Sequence, residues 1–228
     1  MLGKLRERYQ KAMMPIGHAL AKTGITPNMI TIFTLFVAFI TAYLFYLGNL
    51  LVGLIVMILT VVLDMFDGAV ARASGLSSPF GATLDHTLDR YAEYLFMLGL
   101  MMGPASLSEK FIPWFWGFFT IFGMVMASFS RAKAESVGGM DNCSVGIAER
   151  QEKLILTVCG IILLALFPTI WVDFLTIFPS YVLDFFLSIQ ITNILTLFTA
   201  IVGILSHITV VQRLAYARKV IGNREHSE

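Results

Sequence analysis

Between Lys22 and Asp64 lie 41 residues without a charged side chain, interrupted once by the turn pair Gly48-Asn49. A run of that length cannot be hidden in the core of a small soluble domain. In lipid every backbone polar group must be satisfied within the chain, so the run has to be helical. The Gly-Asn pair is a turn signal and divides it into two helices of about 20 residues, the length a bilayer demands. The first span is expected from about Asn28 to Leu47 and the second from about Leu51 to Asp67. Further uncharged runs cover Phe111 to Ser130, Leu154 to Val172 and Phe185 to Gln212. Charged residues make up 14% of the 228 residues, against about 25% in soluble domains.

The third span departs from this pattern. Uncharged sequence after Glu93 lasts only from Tyr94 to Ser108, which as helix is roughly 22 Å and short of a core about 30 Å thick. The helix must start earlier, near Ala82, and carry Asp85, Asp89 and Glu93 into the membrane boundary. Their i, i+4, i+8 spacing puts them on one stripe. The expected fold is all-α and polytopic, with six transmembrane helices.

Basic residues set the orientation. With the N-terminus inside, fifteen of the sixteen Lys and Arg fall on inner loops and flanks, and only Lys110 falls outside. That bias places the N-terminus and the acids on the cytoplasmic side. Leu2, Leu5, Tyr9, Met13, Ile16 and Leu20 recur at helical spacing with bases between them. Residues 1–22 therefore read as an amphipathic juxtamembrane helix in the interface, and residues 23–228 as one six-helix domain. The outer connection from Thr169 to Leu183, punctuated by Pro168 and Pro179, fits either a re-entrant or an interfacial segment. A net charge of +1 gives no nucleic-acid signal, and two cysteines are too few for a disulfide scaffold.

Val62 to Glu93 holds five acids: Asp64, Asp67, Asp85, Asp89 and Glu93. A carboxylate at membrane depth is costly and marks a function by default. Asp64 and Asp67 share one helix face, and Asp85 and Asp89 share another. Two such faces meeting across a short turn make a cage of oxygen ligands, which suits hard cations such as Mg²⁺. A divalent pair would relieve the repulsion among four carboxylates. Gly68, Ala71 and Gly81 allow close approach of a helix or a phosphate, and Arg72 supplies a fork for an anion. Two arginines, Arg72 and Arg90, cannot neutralise five acids. Acids of a cation path would be spread through the bilayer rather than gathered at one edge. Glu93 reads either as a supporting group for the cluster or as a polar packing partner.

These residues spell D-x2-D-G-x2-A-R-x8-G-x3-D-x3-D, carried by Asp64, Asp67, Gly68, Ala71, Arg72, Gly81, Asp85 and Asp89. The pattern resembles the signature of the CDP-alcohol phosphatidyltransferases, and the Thr26-Pro27-Asn28 entry to the first span is also similar. The resemblance implies a six-helix membrane enzyme that moves a phosphatidyl group from a CDP-lipid donor to an alcohol, with CMP leaving. It implies Mg²⁺ or Mn²⁺, as two ions, held by Asp64, Asp67, Asp85 and Asp89. Asp89 would also be the general base for the acceptor hydroxyl. Asp64, Asp67, Gly68, Ala71, Arg72, Gly81 and Asp85 would line the CDP site. A homodimer in the cell membrane is implied as well.

Ser128, Arg131 and Lys133 end the fourth span, Arg150 precedes the fifth and Arg213 follows the sixth. Under the six-span topology all lie on the cytoplasmic side, where they could grip an anion. This set is similar to the branch of the family that makes phosphatidylinositol phosphate or archaetidylinositol phosphate. The implied acceptor is a small phosphorylated alcohol, inositol 1-phosphate. Glycerol 3-phosphate as acceptor, and a non-enzymatic cation transporter, remain the alternatives.

Overall fold

The structure is a computed structural model that describes residues 15–104 and 110–225. All described regular elements are helical apart from one isolated bridge between Pro104 and Lys110. The chain falls into two compact units, Met1–Gly99 and Leu100–Glu228, and each has its own packing logic.

In the first unit, helical residues 15–22 form α1 as far as it is described. The positions Leu2, Leu5, Tyr9 and Met13, on which the amphipathic reading partly rests, lie outside the described residues. Helix α2 (Pro27–Tyr46) starts at the expected Thr-Pro-Asn entry. Thr26 is its N-cap and its hydroxyl accepts from the Met29 N–H, while Pro27 sits where a missing N–H costs nothing. Gly48, at φ 82°, turns the chain into α3 (Leu50–Ser74). The two helices pack along each other as a hairpin. Phe45 is fully buried against Gly53, where a Cβ would come 2.5 Å from the ring. Deeper in the hairpin, the Thr41 and Thr60 hydroxyls lie 3.3 Å apart.

Helix α3 continues seven residues past the expected end at Asp67 and stops at Gly75, whose φ of 69° is the left-handed C-cap that glycine favours. Asp64 and Asp67 therefore sit inside a helix rather than at its end. Helix α4 (Pro79–Met102) begins three residues before the expected Ala82. Ser78 causes this: its hydroxyl accepts from the Gly81 N–H at 3.0 Å and caps the first turn. Near the other end of α4, Gly99 lies directly on α2, where a Cβ would be 2.5 Å from the Ala42 carbonyl oxygen.

The second unit contains α5 (Trp114–Ser136), α6 (Arg150–Leu166), the short α7 (Ile170–Leu175) and α8 (Ser180–Ser188), and the long α9 (Ile194–Glu225). Helices α5 and α6 both pack along α9. The expected run from Leu154 to Val172 is broken at Phe167, because Pro168 supplies no N–H and disfavours helix in its neighbour. The expected last span starts nine residues later than Phe185, since Phe185 belongs to α8.

Among the described residues, four helices are long and apolar enough to cross a membrane: Pro27–Tyr46, Leu50–Ser74, Trp114–Ser136 and Ile194–Asn223. The protein is a multi-pass membrane protein. Helix α4, with 24 residues, has the length but carries Asp85, Asp89, Arg90 and Glu93. Helix α6 has 17 residues, about 25 Å of rise, just under the hydrocarbon thickness.

Candidate active site

The α3–α4 corner brings the paired acids together. One carboxylate oxygen from each of Asp64, Asp67 and Asp85 lies within 4.8 Å of the other two. Asp67 is 6% exposed, and Asp64 and Asp85 are half-buried. Asp89, one turn deeper on α4, is also 6% exposed. Arg90 turns toward Glu93, 2.7 Å away, and reaches Asp89 only at 4.0 Å. Glu93 is thus held by a neighbour on its own helix (i, i+3), which accounts for an acid that the signature does not contain.

Asp67 has a partner from another helix. The Thr31 hydroxyl of α2 donates to Asp67 Oδ2 at 2.8 Å in a buried bond. The same hydroxyl lies 3.1 Å from the Pro27 carbonyl of the turn below. A bond to one oxygen orients the carboxylate and leaves it lone pairs for a further ligand. The donor set is all carboxylate, drawn from two helices and oriented from a third, which fits a hard divalent cation.

The signature's small residues have specific neighbours. Arg72 folds back over Gly68, where a Cβ would stand 3.2 Å from Nη1. The guanidinium is exposed and, among the described residues, forms no ion pair shorter than 4 Å. At the start of α4, a Cβ on Gly81 would lie 3.1 Å from Ser78 Oγ and 3.2 Å from Asn28 Oδ1. Ala71, half-buried, offers its carbonyl to the Ser77 hydroxyl at 3.2 Å. Gly17 of α1 lies against α3 one residue beyond Gly68, where a Cβ would be 2.7 Å from the Ala69 carbonyl oxygen.

The basic residues belong to the second unit. Arg131, 45% exposed in its side chain, donates from Nε to Glu135 Oε1 at 2.9 Å. That oxygen also accepts the Cys143 N–H at 3.0 Å, tying the loop after α5 to the end of that helix. Lys133 is exposed and lies 5.7 Å from the Phe129 ring centre. The Ser128 hydroxyl donates to the Met124 carbonyl at 3.2 Å. Arg150 is the first residue of α6 and is exposed. Arg213 differs from these, being only 8% exposed. It donates from Nε to the Val145 carbonyl at 2.9 Å and from Nη1 to the Ala127 carbonyl. It therefore joins α9 to α5 one turn before Arg131 and to the loop that leads into α6.

Residues 24–205 match the model of the CDP-alcohol phosphatidyltransferase family. The chain belongs to this family. A curated relative, the archaetidylinositol phosphate synthase of Pyrococcus horikoshii, is 37% identical over 156 residues, covering 68% of this chain and 79% of that one. The phosphatidylinositol phosphate synthase of Mycobacteroides abscessus is 34% identical over 176 residues, covering 73% and 75%. Among solved structures, the phosphatidylinositol phosphate synthase of Mycobacterium tuberculosis with CDP-DAG bound superimposes with a TM-score of 0.73 at 26% identity. That match covers 91% of this chain and 94% of the other. The same enzyme in complex with manganese and citrate gives a TM-score of 0.72 and covers 90% and 88%.

As a CDP-alcohol phosphatidyltransferase, the chain carries every acid of the signature within the matched range, while Arg213 lies beyond it. Two features of this transferase went unread in the sequence. Thr31 sits in a long apolar run where its hydroxyl, like those of Thr34 and Thr41, looks like helix filler, and its only signal is its place four residues after Pro27. Lys153, which read as a flanking charge, is 6% exposed in the first turn of α6. Lysine is almost never buried without a partner, but burial cannot be read from a residue at a span boundary.

Proposed function

We propose that this chain transfers a phosphatidyl or archaetidyl group from a CDP-lipid to a hydroxyl of inositol 1-phosphate and releases CMP. The observation that carries the reading is the convergence of Asp64, Asp67 and Asp85 within 4.8 Å. Asp64, Asp67, Asp85 and Asp89 would hold Mg²⁺ or Mn²⁺, as two ions. Bound divalent metal would neutralise the donor's pyrophosphate and stabilise the charge that builds on departing CMP.

The chain's own groups divide the remaining work. Thr31 holds the Asp67 carboxylate in one orientation. Gly68, Ala71 and Gly81 leave room for the nucleotide, and the exposed Arg72 fork faces its phosphates. Asp89 accepts the proton of the acceptor hydroxyl, and its burial keeps bulk water from competing for the transfer. The phosphate of the acceptor is assigned to Arg131, Lys133, Arg150 and Arg213, with Ser128 beside them. The archaetidylinositol phosphate and phosphatidylinositol phosphate synthases among its relatives support inositol phosphate as acceptor.

The same reading takes α4 and α6 as the third and fifth of six spans, their charged or short ends lying at the membrane boundary. It puts the N-terminus and the acids on the cytoplasmic side, residues 1–22 in the interface, and two copies in the functional particle. Gly99 packs on Ala42 within the chain, so a contact between copies would use other residues.

CMP release by the purified protein tests the proposal. CDP-diacylglycerol or CDP-archaeol is supplied with Mg²⁺ or Mn²⁺, and with inositol 1-phosphate or glycerol 3-phosphate in parallel. Release that depends on inositol phosphate and is lost in Asp89→Asn is the expected result. Release with glycerol 3-phosphate alone would overturn the acceptor, and metal flux without CDP-lipid would overturn the enzyme.

A further inference from the structure

We propose that the α7–α8 hairpin lies in the lipid–water interface of the leaflet in which α5 and α9 begin. Ile177, Phe178 and Tyr181 dip into the boundary between headgroups and acyl chains, and Asp173 and Asp184 face water.

Three observations meet here. The first is depth. The hairpin's inner face, Trp171 and Leu175, is buried with Ile191 and Ala200 and packs with Trp116, Ile194 and Leu197. Trp116 is in the first turn of α5 and Ile194 is the first residue of α9. Both helices are apolar and long enough to cross the membrane. The Trp116 indole donates to the Ile189 carbonyl at 2.8 Å and the Trp171 indole to the Ile191 carbonyl at 3.1 Å. The hairpin is thereby tied at the level where the two spans start.

The second is composition. All three tryptophans of the chain, Trp114, Trp116 and Trp171, gather at this end. Indoles concentrate where a membrane is apolar on one side and wet on the other. The outward side chains are mostly apolar: Ile177 is 77% exposed, Tyr181 70% and Phe185 57%. The polar Asp173, Thr176, Ser180 and Asp184 are all exposed.

The third is size and charge. Helices of 6 and 9 residues rise about 9 and 13 Å, too little to cross a hydrocarbon core about 30 Å thick. No Lys or Arg occurs between Lys153 and Arg213. Attraction to anionic headgroups therefore cannot hold the segment, and apolar burial has to.

The test places a nitroxide on the full-length protein in vesicles of neutral lipid. Ile177→Cys, Tyr181→Cys and Asp184→Cys are made separately in a Cys159→Ala background, the other native thiol, Cys143, being fully buried. Collision with dissolved oxygen and with a water-soluble nickel chelate is measured by power saturation. The expected result is an oxygen-to-nickel ratio several-fold higher at 177 and 181 than at 184, with the first two a few ångströms below the phosphates. The depths should not change when anionic lipid is added. Water-like values at all three positions would overturn the proposal, as would depths near the bilayer centre, which mean a re-entrant loop. Immobile labels shielded from both quenchers would also overturn it, since they mean a second copy covers the face. CMP release by each labelled protein shows that the fold is kept, and none of these readings depends on which acceptor is used.

Discussion

The Thr31 hydroxyl donates to Asp67 Oδ2 at 2.8 Å, across 36 residues of sequence and from one helix to the next. Asp67 is one of three acids whose oxygens gather within 4.8 Å. One hydroxyl of a mostly apolar helix thus becomes the orienting group of a candidate metal ligand.

Removing that hydroxyl should loosen the site without dismantling it. Partners that orient metal ligands typically contribute about 10–100-fold in metal affinity. Thr31→Val keeps the shape and should raise the Mn²⁺ concentration needed for half-maximal CMP release by about that factor, and weaken Mn²⁺ binding equally in a direct titration. Thr31→Ser should restore most of both. Equal loss in the Val and Ser variants would mean that packing, not the hydroxyl, matters.

Asp89→Asn should separate chemistry from binding. Losing a positioned base typically costs about 10²–10⁴-fold in rate. The Asp64, Asp67 and Asp85 cluster remains, so Mn²⁺ binding should fall far less than turnover. Chelation of divalent metal should abolish release in the unaltered protein, and added Mg²⁺ or Mn²⁺ should return it.

Gly99 tests the packing of α4 on α2. A Cβ there would be 2.5 Å from the Ala42 carbonyl oxygen, so Gly99→Val must push the helices apart, at about 1–3 kcal/mol. A lower melting temperature in detergent is expected. Gly222→Ala, where a Cβ meets nothing within 4 Å, should leave it unchanged or slightly higher.

Arg213 and Arg131 should respond differently to substitution. Arg213→Met takes the donors from the Val145 and Ala127 carbonyls, and each unsatisfied buried group costs about 1–3 kcal/mol. Stability should fall along with activity. Arg131, exposed and paired with Glu135, contributes little to the fold. Arg131→Gln should raise the KM for the phosphorylated acceptor at nearly unchanged melting temperature, and an unchanged KM would remove it from the acceptor site.

The first two spans were legible because a long uncharged run split by one turn signal leaves a chain in lipid no choice but helix. The first two helices, Pro27–Tyr46 and Leu50–Ser74, start within a residue of expectation because Thr26-Pro27 and Gly48-Asn49 are strong local signals. The last span was less legible. Phe185 to Gln212 is one uncharged run, yet Phe185 lies in α8 and the spanning helix starts at Ile194. Hydropathy cannot distinguish an apolar helix packed across the ends of spans from the start of a span.

The four aspartates were visible in one dimension because three- and four-residue spacings put each pair on one face of its helix. That regularity pointed to an oxygen-ligand site for a divalent cation, and resemblance to the signature pointed to the family that the match over residues 24–205 shows. Tertiary structure decided which groups support the acids and which bases serve the fold. Thr31 meets Asp67 only because α2 packs along α3, and Gly81 lies beside Asn28 only because the turn after α3 brings the start of α4 there. Arg213 stands out in the sequence as a candidate anion-gripping base at the end of an apolar run, and only the fold shows it buried against the Val145 and Ala127 carbonyls. Side-chain periodicity records which face of a helix a residue occupies. It does not record what the other helices bring to that face.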